Sequence, residues 1–277
     1  MKNTATDPAA AATAPSAPVP QPPLLLERHG AIATLRFNRP EALNAIDVPM
    51  ANAFLAAVQS IAADPGVRAV VLRGNGRGFM AGGDLATLRA DPVQGAIDIL
   101  TPLNAALQLL AQMNAPVIAQ VHGAAAGAGL SLVLMADYVI AAEGTRFNLA
   151  YINLGTSCDV GASWALPRIV GVRQALEIAL LGEAFTADDA LRLGLVNRVV
   201  PGAELDSATT ALAQRLASGP TLAYGAMKRL MRASMDHTLP EQLAAEKDAF
   251  VHCAGTEDFR AGVEAFHQRQ SPQFVGR

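Results

Sequence analysis

The hydrophobic pattern divides the chain into short apolar runs closed by glycine- or proline-containing turns. Leu24–Leu26 and Ala31–Phe37 predict two strands around a turn at His29-Gly30. Ala69–Leu72 is a short β-branched run, and Pro116–Val121 is apolar almost throughout, as in strands buried on both faces. Tyr138–Ala142, Arg146–Phe147 and Asn197–Val200 predict further short strands. Between these runs the spacing becomes helical. Asp47 can cap a helix through Leu55, Val58 and Ile61 to the break at Asp64-Pro65-Gly66. From Pro92 to Met113, Leu100, Leu103, Leu107 and Leu110 fall on one face, with Pro102 a point for a kink or restart. After Gly161 the pattern is mostly helical: Ser163–Val170, Arg173–Leu181, Ala187–Leu193, Glu204–Ser218 and Leu222–Gln270, the last broken at Pro240 and near Gly255. The order strand, glycine turn, helix, strand occurs twice, which argues for a parallel α/β core.

Two glycine-rich turns follow buried strands. In the first, five glycines lie between Gly74 and Gly83, before a helix beginning at Leu85. The second is VHGAAAGAGL, from Val121 to Leu130, which leads into an apolar segment long enough for three helical turns. A helix starting near Ala128 leaves its first N–H groups without partners inside the helix, and such an end attracts negative charge. No Gly-Lys-Ser/Thr follows, so this is not a P-loop, and the glycines do not fall at dinucleotide-binding spacing. Tight packing of small residues is the alternative account of the same composition.

Composition narrows the class. The chain has 277 residues, 51% of them hydrophobic, enough for a sizeable core. A net charge of −3 favours neither nucleic acid nor a membrane surface. Cys158 and Cys253 make no disulfide framework, so a reducing, cytoplasmic setting is expected. No apolar run approaches the roughly 20 residues of a membrane span. Residues 1–23, rich in Ala and Pro, predict a disordered tail without an apolar signal segment. The expected organisation is that tail, a core over 24–203 and a helical region over 204–277.

Several segments, in order, resemble the crotonase (enoyl-CoA hydratase/isomerase) superfamily. They are Asn38-Arg39-Pro40-Glu41-Ala42-Leu43-Asn44-Ala45, the run from Gly76 to Leu85, His122 to Gly129, Asp159 to Gly171, Ala190 to Val199, and Ala265-Phe266-His267-Gln268-Arg269. The resemblance implies a ββα spiral core with a helical C-terminal trimerisation region, and a homotrimer or dimer of trimers. It implies an acyl-CoA thioester substrate, with coenzyme A as part of that substrate and no separate cofactor or metal. By motif position the backbone N–H groups of Gly83 and Ala128 would grip the thioester oxygen, with Ala81, Gly82 and Gly127 beside them. Donors aimed where charge grows stabilise the transition state, at about 3–4 kcal/mol for one donor. Ala42 and Leu43 would clamp coenzyme A with their backbone, or form an ordinary loop. Arg77 would face its phosphates, or be a solvated arginine. Phe266 and Arg269 match positions that reach the coenzyme A of a neighbouring subunit; a helix with one buried Phe is the other account.

The resemblance also exposes a departure. Hydratases of the family use two glutamates, and their positions fall at Ser131 and Tyr151. Neither can be a carboxylate base. Asp159 is the carboxylate left in a matching position, and Tyr151 stays a substrate-contacting candidate. Asp159 is either the base or a cap on the helix beginning near Gly161–Ser163. Its neighbours Ile152, Leu154 and Val160 are apolar, and desolvation there would raise its pKa. A 1,3-proton shift needs one base, so the carboxylate count suits an enoyl-CoA isomerase, ahead of a hydratase or a non-catalytic acyl-CoA binder. No histidine lies between Asp84 and Val121, which disfavours aryl-CoA dehalogenation. Asp84 reads as a helix-start residue and His122 as a support for its turn.

Overall fold

The computed structural model describes residues 21–277. Most of the tail expected over 1–23 therefore lies outside the described residues. Strands β1 (Leu24–His29) and β2 (Ile32–Phe37) form an antiparallel hairpin, with Gly30 at φ 58° in its turn. Helix α1 (Val48–Ala62) starts at Asp47, whose side chain accepts the Met50 N–H, and leads to β3 (Ala69–Gly74). Helices α2 (Leu85–Ala90) and α3 (Pro92–Gln112) precede β4 (Val117–Val121). Then come β5 (Ala124–Ala126), α4 (Ala128–Met135), β6 (Tyr138–Ala142) and β7 (Arg146–Asn148). Helix α5 (Ala162–Leu181), β8 (Phe185–Thr186), α6 (Ala187–Arg192) and β9 (Arg198–Val200) complete the sheets. Helices α7 (Leu205–Ala217), α8 (Thr221–Ala233), α9 (Leu239–Ala254) and α10 (Glu257–Gln268) finish the chain.

The main sheet has the order β1-β2-β3-β4-β6-β9, parallel from β2 onward, and β5-β7-β8 form a second small sheet. The continuous apolar runs are explained by burial on both faces. Val70 and Leu72 of β3 belong to the core that includes α1 and α3, whereas Val71 packs with Ile118 against Ala213 of α7. Phe37, Phe54 and Phe79 meet at ring centroid separations of 5.7 Å in the larger core.

Four local expectations change. Helix α3 runs through Pro102 without interruption, the proline lying buried above an exposed Asp98 whose carbonyl loses its helix partner. Helix α4 is eight residues long, two turns rather than three. Pro240 does not break a helix but sits in the first turn of α9, where its missing N–H costs nothing. Ala124–Ala126, expected as loop, is a strand paired in parallel with β7. The break expected between Val170 and Arg173 is present as Gly171, at φ 77° and ψ 157° inside α5. Helix α8 is tied to the core by Lys228 and Arg232, which meet Asp137 at 2.7 and 2.8 Å. Burial lowers the Lys228 pKa, and the Asp137 carboxylate opposes that.

Candidate active site

The two glycine-rich turns are joined main chain to main chain. Phe79 N–H donates to His122 O at 2.8 Å, Met80 N–H to Ala124 O at 3.0 Å, and Ala126 N–H to Met80 O at 2.9 Å. Such proximity excludes a side chain at Gly129, where a Cβ would lie 2.3 Å from the Met80 carbonyl oxygen. Packing of small residues is thus real, but it does not account for the residues that follow Met80. Ile46 forms a bridge with Gly83 by donating to Gly82 O and accepting from Asp84 N–H, each at 2.8 Å. In that parallel pattern the N–H of Gly83 itself points away from Ile46. Gly127 takes φ 51° and ψ −123°, a conformation for glycine, and Ala128 opens α4. Among the described residues neither the Gly83 nor the Ala128 nitrogen donates to a backbone acceptor. A Cβ built on Gly82 would be 3.7 Å from the Ala128 nitrogen, so the two turns are neighbours.

Both turns line one cavity of about 580 Å³. Ala81, Gly82, Gly83, Gly127 and Ala128 form one wall, and Tyr151 and Asp159 another. Leucines and Ile99 from α2 and α3 supply an aliphatic side. Among the described residues, Asp159 is the only carboxylate on its lining, and no Lys, Arg or His joins it.

Asp159 does not cap α5. The N-cap is Gly161, without a side-chain cap, and only the Asp159 carbonyl serves that turn, accepting the Ala162 N–H. Its carboxylate instead accepts the Tyr151 hydroxyl through Oδ1. The Tyr151 hydroxyl lies 2.9 Å from Ser131 Oγ, and Ser131 Oγ lies 3.3 Å from the Gly127 carbonyl oxygen. Ser131 is fully buried and Tyr151 is buried. The two positions at which the resemblance implies glutamates are therefore side by side, and one of them, Tyr151, is bonded to the remaining carboxylate. Burial raises the Asp159 pKa, while the Tyr151 hydrogen bond pulls it back. Burial and the neighbouring carboxylate push the Tyr151 phenol far up, so at neutral pH it is a donor to Asp159. Ala150 precedes Tyr151 at φ 52°, and Val160 follows Asp159 at φ 53°. A β-branched residue in the left-handed region is an outlier, and such strain gathers at functional sites.

Other sequence candidates lie off the cavity. The Leu43 carbonyl accepts the Ala81 N–H at 3.0 Å, so Ala42 and Leu43 border the first turn without lining the cavity. Arg77 is exposed on the turn. His122 Nε2 is 2.9 Å from the Gly76 carbonyl oxygen, a support for that turn. Phe266, 81% exposed, lines a separate apolar cavity of about 380 Å³ among the C-terminal helices, and Arg269 is an exposed residue ending α10. Two participants escaped the sequence. Buried Asn44 donates to Asn75 O, Gly78 O and Phe79 O, knitting the first turn to residues 38–45. The Tyr151–Asp159 bond had one faint signal, a phenol where a carboxylate was expected.

Residues 27–277 match the family described as Enoyl-CoA hydratase/isomerase. The chain is 37% identical over 250 residues to 1,2-epoxyphenylacetyl-CoA isomerase of Escherichia coli, covering 89% of this chain and 95% of that one. It is 35% identical over 255 residues to 2,3-dehydroadipyl-CoA hydratase of the same organism, covering 92% and 99%. Among solved structures, an enoyl-CoA hydratase of Mycobacterium smegmatis matches with a TM-score of 0.86 at 34% identity, over 92% of this chain and 99% of that one. No helix among the described residues is long and apolar enough to cross a membrane.

Proposed function

The chain belongs to the enoyl-CoA hydratase/isomerase family, and from that premise we propose that it is an enoyl-CoA isomerase with Asp159 as its one base. The observation that carries this is the single carboxylate on the cavity wall among the described residues, beside a serine and a tyrosine where a hydratase would hold glutamates. The thioester oxygen of a 3-enoyl-CoA sits between the N–H groups of Gly83 and Ala128. Asp159 takes a proton from C2, the C2–H electron pair enters the conjugated enolate, and negative charge gathers on the held oxygen. The same proton returns at C4, leaving the double bond between C2 and C3. The substrate isomerises with no atom gained or lost. The raised pKa of Asp159 suits both halves, since a stronger base takes the proton and a neutral acid can give it back. The aliphatic wall from α2 and α3 fits a hydrocarbon acyl group.

Ala42 and Leu43, and Arg77 on its exposed turn, are assigned to coenzyme A outside the cavity. The exposed Phe266 and Arg269 are assigned to the coenzyme A of a neighbouring subunit in a trimer or dimer of trimers. A mass in solution of three or six chains supports that assembly; a monomer removes the assignment.

The hydratase relatives support a second reading, in which Asp159 activates water for addition at C3. The two are separated by offering a 3-enoyl-CoA and crotonyl-CoA to the wild type and to Asp159→Asn. The isomerase reading expects double-bond transfer that the variant loses and slow hydration at most. Fast hydration without isomerisation selects the hydratase. Tight binding without turnover of either thioester selects a non-catalytic acyl-CoA binder.

A further inference from the structure

The Ser131–Tyr151–Asp159 chain has a direction that its proton inventory fixes. With Asp159 ionised, Tyr151 must donate its only proton to Oδ1. The phenol oxygen can then only accept, and the side-chain donor in reach is the Ser131 hydroxyl at 2.9 Å, beside the Asp159 main-chain N–H. Ser131 has one proton, so its longer 3.3 Å approach to the Gly127 carbonyl oxygen is given up in that state. Among the described residues Asp159 Oδ2 has no hydrogen-bond partner, and Asp159 lines the cavity. We propose that Tyr151 is a positioning residue for Asp159: held by Ser131, its hydroxyl pins Oδ1 and leaves Oδ2 as the one basic atom for the substrate.

This rests on the assignment of Asp159 as base and adds what orients it. A carboxylate on a single Cβ can rotate, and rotation would present either oxygen at varying angles. Fixing one oxygen from a buried phenol removes that freedom before substrate arrives. Ser131 fixes the phenol in turn, from the first turn of α4. With its one proton committed to the phenol, Ser131 ends the chain, and no group of useful basicity stands beyond it to take a proton, so the carboxylate is held without draining the substrate proton from Oδ2.

Among the described residues no other charge lines the cavity to compete for Asp159. The segment holding Tyr151 contributes that phenol, α4 contributes Ser131, α2 and α3 contribute leucines, Pro92, Ala96 and Ile99, and the first turn contributes glycines. Cys158 is its half-buried chain neighbour. Asp84, beside Gly83, is paired with Arg39. Burial raises Asp159 and the Tyr151 bond opposes it, so deleting the phenol oxygen must raise Asp159 further.

The test reads Asp159 directly. Protein labelled with carbon-13 at aspartate Cγ is titrated by NMR, with the Asp159 resonance identified by its loss in Asp159→Asn. Tyr151→Phe is expected to move the Asp159 midpoint upward by on the order of one pH unit, as for losing one hydrogen bond to a charged group. Ser131→Ala should move it in the same direction by less. An unmoved midpoint in folded Tyr151→Phe overturns the proposal; should that variant not fold, an unmoved midpoint in Ser131→Ala does so. This measurement needs no turnover, so a wild type inactive on 3-enoyl-CoA would reject the isomerase reading and leave the Tyr151 question decided by the titration. Where turnover is present, Tyr151→Phe should lower kcat about tenfold with KM within twofold, and carry the acid limb of the pH profile upward. A loss equal at every pH, with the limb in place, is a packing defect and overturns the proposal.

Discussion

Asp84 and Asp159 both adjoin the proposed thioester site, one beside each wall, and their surroundings treat the same carboxylate in opposite ways. Asp84 Oδ1 accepts from Ala86 N–H at 2.9 Å and Thr87 N–H at 3.4 Å, and Oδ2 meets Arg39 at 2.9 Å. Desolvation alone would raise its pKa, but the Arg39 guanidinium and the two amides more than offset it and hold the carboxyl below its usual range. Asp159 is desolvated with a single neutral donor, and its pKa rises. A residue type does not disclose its work; the partners of its oxygens do. Asp84 is fixed as an anion for structure, and Asp159 is left able to change state.

The largest expected effect strikes Asp159 alone. Asp159→Asn should lower kcat for 3-enoyl-CoA isomerisation by about 1,000-fold, with KM within a few fold, since a positioned base contributes about 10²–10⁴. Steady-state assays across substrate concentration check this, and retained turnover would strip Asp159 of its distinction from Asp84. Next is Gly127→Ala, which denies φ 51° and ψ −123° to the residue before Ala128. It should reduce turnover by about 100-fold, the scale for losing one oxyanion donor, while leaving the Asp84–Arg39 pair in place. Normal turnover in that variant would sever Ala128 from the thioester oxygen.

Stability gives the comparison its sign. Asp84→Asn should keep the helix cap and destabilise the fold by about 1 kcal/mol at neutral pH, through an Arg39 that loses part of its charge pairing. Because folding lowers the Asp84 pKa, its contribution is present above the unfolded value and lost as pH falls through the folded one. Denaturation of variant and wild type should therefore converge in acid. The smallest effect runs the other way. Folding raises the Asp159 pKa, so the ionised wild type carries a burden at neutral pH that begins to lift as pH falls through the folded value and is gone below the unfolded one. Asp159→Asn should be more stable than wild type by about 1 kcal/mol or less at pH 7, with no advantage in acid. A destabilised Asp159→Asn would mean that the carboxylate is held for structure, like Asp84.

Much of the frame was legible because its signals are local. Asp47 caps α1, Tyr138–Ala142 is a strand to the residue, and Gly171 interrupts α5 where two helical patterns had been separated. The failures were places where context outweighed pattern. Three alanines carry no β-branched signal, yet Ala124–Ala126 becomes a strand because Met80 and β7 offer it backbone partners. Asp159 looks like a helix cap by spacing, but Tyr151, eight residues earlier, takes its side chain. The site showed the same division. The glycine turns were readable from composition and order, whereas the partners of Asp159 depend on a fold that returns Tyr151 and Ser131 to one point.

The main-chain pairing of Met80 with Ala124 and Ala126 would separate two tasks of the proposed reaction, gripping the thioester and housing its tail. The spacing of the two amide donors is set by backbone ribbons that no side-chain exchange on α2 or α3 rewrites. Those helices supply the aliphatic lining, so on the proposed assignment Leu85, Leu88 or Leu100 can be enlarged or trimmed to accept other tails while the proposed grip of the two amides keeps its dimensions. A scaffold built in this way can change its diet without relearning its chemistry.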